Sequence, residues 1–575
     1  MPKIDEILDE CFAYLSQTEN IKKENTPEIS KAYHTIWNID TEISLYDKYY
    51  PIVFHMGFTD SVPYELPDVY CLDIDFGQIP HIGSDHKLCL YEDGISYDER
   101  QYCVLVHNVL RRAKQLIKEG LEGTNEADFQ TEIISYWKHS YTSTNEFLED
   151  DKYLIDFIPQ ETQELGFCYL YNSNKILFYA GEDIPKNIDC NAIRVREGGN
   201  ALFVSDFPIG EKPPYSITGK RLAEIVANSS DGKVIKRFIN QSKNVNSILL
   251  FRLSVNDTTA LGGLEIKCSS KQCNRSGFRK GSLKKFDIIT RFELQNRPIC
   301  KMLVRLYNHN QIDMRTAGEK QKTYSFVVAG LGSIGSQLCH FLMSYSNAEF
   351  TLIDDDILSI DNVGRHLLGV RFIGDSKTNA LTTYMKECRP DMYIHNCYNS
   401  LADYYSTETN LQDLRKVSAI FLCTGDIMAE RNLIHKLAKN DVRKPIFILW
   451  LEPYAVAGHM IYLSPNDERQ KDFYDLLTDS RTQLYRHNLI NDEEYKNPER
   501  FVKQAAGCNG SYTNYSGNDV MLFLSNMFPN ICKILENDCG NSSSCYRWIG
   551  NISNAKNIGF ELKQGTYAKG DVQAM

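Results

Sequence analysis

No stretch of this chain is apolar enough, for long enough, to read as a membrane span. The most hydrophobic segment, residues 445–463, is interrupted by Glu452, Pro453 and His459 and reads as a pair of buried strands. The N-terminus is acidic and mixed, unlike a secretory signal. A basic excess is missing too: 75 Asp and Glu outnumber 63 Lys and Arg, for a net charge of −12, which argues against direct nucleic-acid binding. One local basic stretch, residues 267–285, reads as a solvated linker or hairpin that could touch an acidic partner. None of the 17 cysteines forms a Cys-x-x-Cys pair, so a structural zinc is doubtful, and their uneven spacing fits a reducing, cytoplasmic setting. There is no internal repeat and no low-complexity tract.

What is present is ordinary globular composition, 42% hydrophobic and 24% charged, over 575 residues, a length that suggests three or four domains. Within it, the apolar run 326–329 enters Gly330-Leu331-Gly332-Ser333-Ile334-Gly335. Ile334, Leu338, Phe341 and Leu342 then recur at helical spacing, and a second apolar run, 350–353, ends in Asp354. Strand, glycine turn, helix, strand and acid make a nucleotide-binding βαβ unit: glycines let backbone approach a phosphate, the helix N-terminus favours negative charge, and the acid meets a ribose hydroxyl.

A hydride-transfer site needs little beyond that unit. This chain continues Asp361-Asn362-Val363-Gly364-Arg365-His366, then Gly374-Asp375-Ser376-Lys377, then Cys423-Thr424-Gly425-Asp426. Arg and Lys neutralise a triphosphate, and an Asp at a strand end can hold Mg2+ against it, so ATP chemistry is the better reading.

This order of residues resembles the adenylation domain of ubiquitin-activating enzymes and their bacterial ThiF/MoeB relatives, over roughly the last 270 residues. The resemblance implies a Rossmann-like fold, with ATP and Mg2+ as cofactors. It implies that Gly330, Gly332 and Gly335 form the phosphate loop, that Asp354 binds ribose with Asp356 beside it, and that Asn362 and Arg365 contact the nucleotide and its phosphates. Lys377 is implied to contact the triphosphate and Asp426 to ligate Mg2+. Relatives often place an arginine in the neighbouring subunit's ATP site; Arg315 is the candidate, with Arg305 nearby, and a homodimer is expected.

Activating enzymes pass the adenylated carboxyl group to a thiolate, because sulfur is nucleophilic near neutral pH and forms a reactive thioester. In the family this Cys lies in a late crossover loop. Cys508, in Ala506-Gly507-Cys508-Asn509-Gly510, fits that position ahead of an apolar helical pattern (Val520, Met521, Leu524, Met527), whose dipole would activate the thiol if the helix began close to it. Cys423, inside an apolar strand, reads as core.

The N-terminal part holds a second pattern: alternating apolar residues around 70–76, then Ile79-Pro80-His81-Ile82-Gly83-Ser84-Asp85-His86-Lys87-Leu88-Cys89. It resembles the ubiquitin-conjugating fold, whose signature is His-Pro-Asn followed by Asp, Gly and an apolar residue before the catalytic Cys. Pro80, Asp85, Leu88 and Cys89 keep the approximate spacing. His81 stands at the Asn position, which in that family helps hold an oxyanion; a ring N–H can donate similarly, and His86 is another possible donor. Residues 101–120, with Val104, Val106, Leu110, Ala113 and Leu116, read as a packed helix.

The expected architecture is therefore a conjugating-like α+β domain over 1–150, an α+β linker domain over 151–300 and a ThiF-like α/β adenylation domain over 301–575. The order resembles the CD-NTase-associated activating–conjugating fusions of bacterial CBASS antiphage operons. That likeness implies ATP-dependent activation of the C-terminus of a cGAS/DncV-like nucleotidyltransferase (CD-NTase), relay from Cys508 to Cys89, and conjugation to acceptor lysines of target proteins. Two other readings remain open: a sulfur-carrier or other ubiquitin-like activating enzyme, which leaves the N-terminal domain unexplained, and a nucleotide-binding scaffold without turnover.

Overall fold

The computed structural model describes residues 3–24, 26–29, 31–46, 48–92, 94–139, 152–170, 175–181, 196–213, 215–241, 246–253, 260–267, 284–292, 294–316, 318–320, 322–345, 347–390, 392–479, 484–496, 502–504, 511–537 and 539–575. The chain divides into two compact units, with Tyr307 closing the first and Asn308 opening the main part of the second.

The first unit begins with helix α1 (Ile4–Leu15) and an antiparallel meander, β1 (Asn20–Lys23), β2 (Thr35–Leu45), β3 (Lys48–Phe58) and β4 (Asp68–Cys71), in the order β1-β2-β3-β4. One face of the meander, with Trp37, Ile39, Phe54 and Met56, packs in a single core with Leu8 and Cys11 of α1 and with α2 (Tyr102–Glu122). Val106, Val109, Leu110, Ala113 and Ile117 of α2 are buried, a stripe at spacings of three and four. The helix stops at Gly123, whose left-handed backbone (φ 73°) returns its N–H to the carbonyls of Glu119 and Gly120.

Short helices α3 (Asp128–Thr131) and α4 (Ile133–His139) lead into a closed barrel in the order β10-β11-β5-β7-β6-β8-β9. Its strands are β5 (Tyr153–Ile155), β6 (Gln163–Leu170), β7 (Lys175–Tyr179), β8 (Arg196–Val204), β9 (Asn246–Arg252), β10 (Leu261–Lys267) and β11 (Cys300–Leu306). Alternation along the strands divides their side chains between two cores. Phe203, Leu250, Met302 and Val304 pack with Tyr153 and Phe178, while the intervening Leu202, Leu249, Phe251 and Leu303 pack under Phe129 and Trp137 of α3 and α4 and under helices Gly219–Asn228, Gly232–Gln241 and Lys285–Arg291. The α+β content expected for 151–300 is thus a barrel with helices. Its strand β11 runs across the expected boundary at 300, and its helices α3 and α4 come from before 150.

The second unit is built on a twisted sheet, ordered β14-β13-β12-β15-β16-β17-β22-β23 among the described residues. β12 (Tyr324–Ala329), β13 (Ala348–Ile353), β14 (Tyr393–Cys397), β15 (Ala419–Leu422) and β16 (Ile446–Leu451) are parallel; β17 (Ala457–Leu463), β22 (Ser544–Ile549) and β23 (Val572–Ala574) add antiparallel pairs. Helices Ser333–Leu342, Lys377–Cys388 and Gly517–Glu536 share one core on the sheet, and Ile427–Lys439 and Gln470–Leu477 share the other. Short ribbons pair β18 (Thr478–Asp479) with β19 (Leu484–Tyr485), and β20 (Val502–Gln504) with β21 (Ser511–Thr513). The multidomain α/β and α+β architecture expected from sequence, with a Rossmann-like C-terminal part, is the observed one, and the first two expected domains fall in one compact unit. Among the described residues, no helix is long and apolar enough to cross a membrane.

Candidate functional sites

In the second unit the chain runs from β12 to β13 and β14 on one side, then returns to place β15 on the other side of β12. That reversal opens a crevice at the C-terminal strand ends, where open α/β sheets bind ligands. Two loops meet there. Gly330 follows β12 with φ 81°, and a Cβ on it would lie 2.6 Å from the backbone of Cys423 and Thr424, so only glycine lets the two loops pass this closely. A Cβ on Gly335 would sit 1.9 Å from the Gly330 carbonyl, whereas one on Gly332 would meet nothing within 4 Å. Two glycines therefore close the turn, and the third leaves open space at the start of helix Ser333–Leu342.

Asp354 follows β13. Its Oδ2 accepts the Leu331 N–H at 2.6 Å and its Oδ1 accepts the Asp356 N–H at 2.9 Å, so the acid braces the glycine loop. Burial raises its pKa, against the pull of Lys377. Lys377, the first residue of its helix, is 7% exposed, with Nζ 2.6 Å from Asp356 Oδ2 and 3.8 Å from Asp354 Oδ1. The structure brings these three together. Asn362 uses its Oδ1 to accept from the N–H and Oγ of Ser359 at 3.0 and 3.2 Å, capping a 3-10 turn. Arg365 lies 5.5 Å from the centre of the Tyr515 ring, and the Tyr515 hydroxyl is 2.8 Å from Ser333 Oγ. A cation is thereby held near the N-terminus of helix Ser333–Leu342. His366, buried, donates from Nε2 to the Leu331 carbonyl at 2.8 Å and accepts the Leu368 N–H at Nδ1; burial pushes its pKa down to about 4, so it stays neutral.

Asp426 follows β15 and caps helix Ile427–Lys439, with Oδ1 accepting the N–H groups of Met428 and Ala429, each at 3.0 Å. The residue is exposed, so its second oxygen is available to a hard cation. Among the described residues no group of three or more His, Cys, Asp or Glu could hold a metal ion. One free carboxylate oxygen is what Mg2+ commonly takes from protein when phosphates fill the rest of its shell. Beneath this turn, Thr424 Oγ1 accepts the Asp426 N–H at 3.1 Å and donates to buried Glu430 at 2.8 Å; Tyr474 and Tyr485 also donate to Glu430. Burial pushes the Glu430 carboxyl up to about 7, against those hydrogen bonds.

Cys423, expected inside a strand as a core residue, instead follows β15 and is half-buried, packed against the core; burial pushes its thiol far up. Arg315 is exposed in helix His309–Thr316. Cys508 lies outside the described residues. The helix after it begins at Gly517, where Ser516 and Asp519 form a capping box.

In the first unit, residues 81–89 form a tight loop docked on β4. Leu88 N–H donates to the Val69 carbonyl at 2.8 Å, and Cys71 N–H to the His86 carbonyl at 3.0 Å. The loop folds back so that Cys89 N–H donates to the His81 carbonyl at 2.9 Å. Leu88 and Leu90 are buried, and Cys89 between them is exposed. It lies where two cavities of about 670 and 660 Å3 meet.

His81 has φ 62°, and its N–H donates to the Tyr136 hydroxyl at 2.7 Å. Its Nε2 is 3.0 Å from Asp128 Oδ2 and its Nδ1 3.2 Å from Glu132 Oε1. The neighbouring Cys89 thiol, with the contacts to Glu132 and Asp128, pushes its pKa up to about 10 against burial, so it is an imidazolium at neutral pH. The oxyanion-donor role expected for His81 meets a geometric obstacle, since both ring nitrogens already face carboxylates. What the arrangement offers is a cation beside the Cys89 sulfur. His86 is also engaged, donating from Nδ1 to the Ile74 carbonyl at 2.9 Å. Asp128, Glu132, Tyr136 and, in the other unit, Tyr515 and Glu430 carry no local motif; spatial proximity alone reveals them.

Residues 307–482 match the model of the ThiF family, and residues 17–145 match that of prokaryotic E2 family B. The ThiF-family match thus lies C-terminal to the prokaryotic E2 match, each covering part of the chain. The first match contains the glycine loop, Asp354, Lys377 and Asp426; the second contains His81, Cys89, Asp128 and Glu132. The ATP-dependent ubiquitin transferase-like protein Cap2 of Enterobacter hormaechei subsp. hoffmannii (strain UCI 50) is 28% identical over 161 residues, which cover 28% of this chain and 26% of that protein. The alignment thus spans about a quarter of the curated relative. Among solved structures, E. coli MccB with MccA-N7isoASN aligns with TM-score 0.30 and 12% identity over 44% of this chain and 64% of that one. The ATP complex of E. coli MccB gives 0.28 and 12% over the same shares, and PaaA gives 0.30 and 12% over 42% and 71%.

Proposed function

We propose that the chain activates a carboxyl group with ATP and conjugates it to an amine through thioesters. What carries the reading is the convergence, at the sheet's reversal point, of an open glycine turn, Lys377 and the exposed Asp426. A free carboxylate is a poor electrophile; adenylation supplies AMP as leaving group and releases pyrophosphate. The open turn at Gly332 and the helix N-terminus receive phosphates, Asp354 meets the ribose, Arg365 and Lys377 neutralise the triphosphate, and Asp426 holds Mg2+. The acyl group passes to Cys508 and then to Cys89, whose neighbour His81 stabilises the thiolate as it enters and leaves. The substrate is the C-terminus of a CD-NTase, the acceptors are lysines on target proteins, and the setting is antiphage signalling in the cytoplasm. The adenylation domains pair about a two-fold axis, with Arg315 reaching the opposite ATP site.

Pyrophosphate release with ATP and the CD-NTase tests the first step, with a reductant-sensitive adduct as its product. Full adduct formation by Asp426→Ala would remove the Mg2+ assignment. Cys89→Ala should keep the first thioester and lose the conjugate, and normal conjugation by that variant ends the relay. Conjugates formed with a CD-NTase lacking its last residues would end the C-terminal mechanism. A strict monomer by light scattering would end the dimer.

A further inference from the structure

We propose that Cys11 and Cys103 are a dithiol–disulfide pair, a site of reversible oxidation at which a peroxide cross-links α1 to α2. The inference stands apart from the conjugating chemistry proposed above. The Cys11 and Cys103 sulfurs lie 2.7 Å apart, although the residues are 92 positions apart in sequence. A disulfide bond is about 2.05 Å long, so closing it needs less than an ångström of further approach. The helices hold that approach in register. Cys11 of α1 meets Cys103 of α2. About one turn on, the Tyr14 ring stands edge-on to His107 with 6.1 Å between centres. Past the end of α1, Lys114 Nζ donates to both carboxylate oxygens of Glu19 at 2.6 and 2.7 Å. The three contacts advance in the same direction along both partners, so the cysteine pair is one rung of a fixed ladder. Cys11 is fully buried and Cys103 half-buried, packed on the core that holds Trp37, Phe58 and Tyr102.

Cys103, the more accessible thiol, reacts first. Its sulfur attacks one peroxide oxygen and the O–O bond breaks. The thiol proton leaves with the expelled hydroxide as water, and a sulfenic acid remains. The Cys11 sulfur then displaces that hydroxyl: the S–S bond forms, the S–O bond breaks, and the Cys11 proton leaves in a second water. The two sulfurs together lose two electrons, which the peroxide takes up. Burial pushes both thiols up, so the first step is slow at neutral pH. The second step is fast because its partner is already in place. A dithiol reductant returns both thiols, and in a reducing cell the pair rests in that form. When closed, the bond encloses the whole meander and the 81–89 loop. Long closed loops restrict the unfolded chain most, so the cross-link staples the fold around Cys89.

The test treats the full chain with hydrogen peroxide, blocks remaining thiols with iodoacetamide and maps peptides without reduction. Cys89 and Cys388, exposed among the described residues, report the dose. Once both are consumed, the main product of Cys11 should be its peptide joined to that of Cys103, two hydrogens lighter than the two thiol peptides. Dithiothreitol should separate them. The oxidised protein should unfold about 5 °C or more above the reduced one, and Cys103→Ser should show no such rise. If that variant does not fold, wild-type mapping before and after reductant decides alone. Free Cys11 and Cys103 after the exposed thiols are consumed would overturn the proposal. So would Cys103 running on to a sulfinic acid with Cys11 still free. A cross-link that leaves the unfolding temperature unchanged or lower would do the same, because it marks a bond made in an opened molecule.

Discussion

Removing the carboxylates that grip His81 should leave a pH signature that no packing defect imitates. Asp128→Asn with Glu132→Gln keeps volume and hydrogen-bonding capacity while deleting both charges. The two contacts are charge-assisted, at 3.0 and 3.2 Å, but each carboxylate is more than a third exposed (41% and 37%). Screening therefore reduces each to about 1 kcal/mol. Together, about 2 kcal/mol corresponds to a fall of about 1.5 pH units in the His81 midpoint, from about 10. The Cys89 contribution, the largest, remains. At pH ~9 the imidazolium fraction then falls from about nine-tenths to about a quarter, so alkylation of Cys89 by iodoacetamide should slow about threefold to fourfold. At pH ~7 both proteins keep the cation and the difference should vanish. Because the folded midpoint lies above the ordinary 6.5, the stability it confers is complete below that pH and is lost as pH rises toward 10. Urea unfolding should accordingly separate wild type from the variant by about 2 kcal/mol near pH ~6 and hardly at all above pH ~10. Histidine NMR titration and pH-resolved alkylation are the assays. An unmoved midpoint, or equal alkylation at both pH values, refutes the coupling of His81 to these acids.

Gly335→Ala forces a methyl group to within 1.9 Å of the Gly330 carbonyl; it should cost about 1–3 kcal/mol in urea unfolding and weaken ATP binding at least about tenfold by dialysis, and wild-type affinity would show that the turn is not the nucleotide loop. Lys377→Ala leaves buried Asp354 without its cation, and ATP–pyrophosphate exchange should fall on the order of 100-fold; a loss below threefold would move the triphosphate contact elsewhere. Glu430 is raised from 4.5 to about 7, so its protonated form stabilises the fold at low pH and that gain is lost as pH rises through 7. Glu430→Gln should therefore flatten stability between these values, and an unchanged slope in urea titrations would exclude Glu430 as its source.

The parts of the fold visible in the sequence are those whose signal is local. The run ending at Ala329, the glycine turn and Asp354 fall within one βαβ unit, and the strands and helix lie where the pattern puts them. The helix over 101–120 is present as Tyr102–Glu122, but Val104 is exposed and Ile117, not Leu116, lies among the fully buried residues, because the stripe of a straight 3.6-residue helix drifts around the axis. The barrel was legible only as separate strands. Its closure depends on the parallel pairs β8–β9 and β5–β11, which join residues far apart in sequence and leave no periodic trace. The same holds for the Cys89 site: eight positions of sequence connect His81 to Cys89, but the acids that charge His81 come from α3 and its end, after a complete helix.

That origin makes the barrel more than a spacer. The helices that bring Asp128, Glu132 and Tyr136 to His81 are seated on the barrel by Phe129, Ile133 and Trp137, all within 1% of full burial. Trp137 packs edge-on against Phe251 at 5.8 Å and donates from Nε1 to the Met302 carbonyl at 3.0 Å. Trp137→Phe keeps most of the apolar contact but removes the hydrogen bond to that carbonyl, at a cost of about 0.5–1.5 kcal/mol. If α4 responds by shifting on the barrel, the contacts of Tyr136 and Glu132 with His81 loosen, and the His81 titration moves down even though residue 137 does not touch it. Phe178→Leu, in the other barrel core, should cost comparable stability and leave the titration in place. Equal movement of His81 in both variants would mean that it senses only global stability; movement in neither would mean that the conjugating-type site is mechanically independent of the barrel. Movement in Trp137→Phe alone would make the barrel a support for the chemistry at Cys89, and would explain how a domain without a catalytic motif still acts on the site in its own unit.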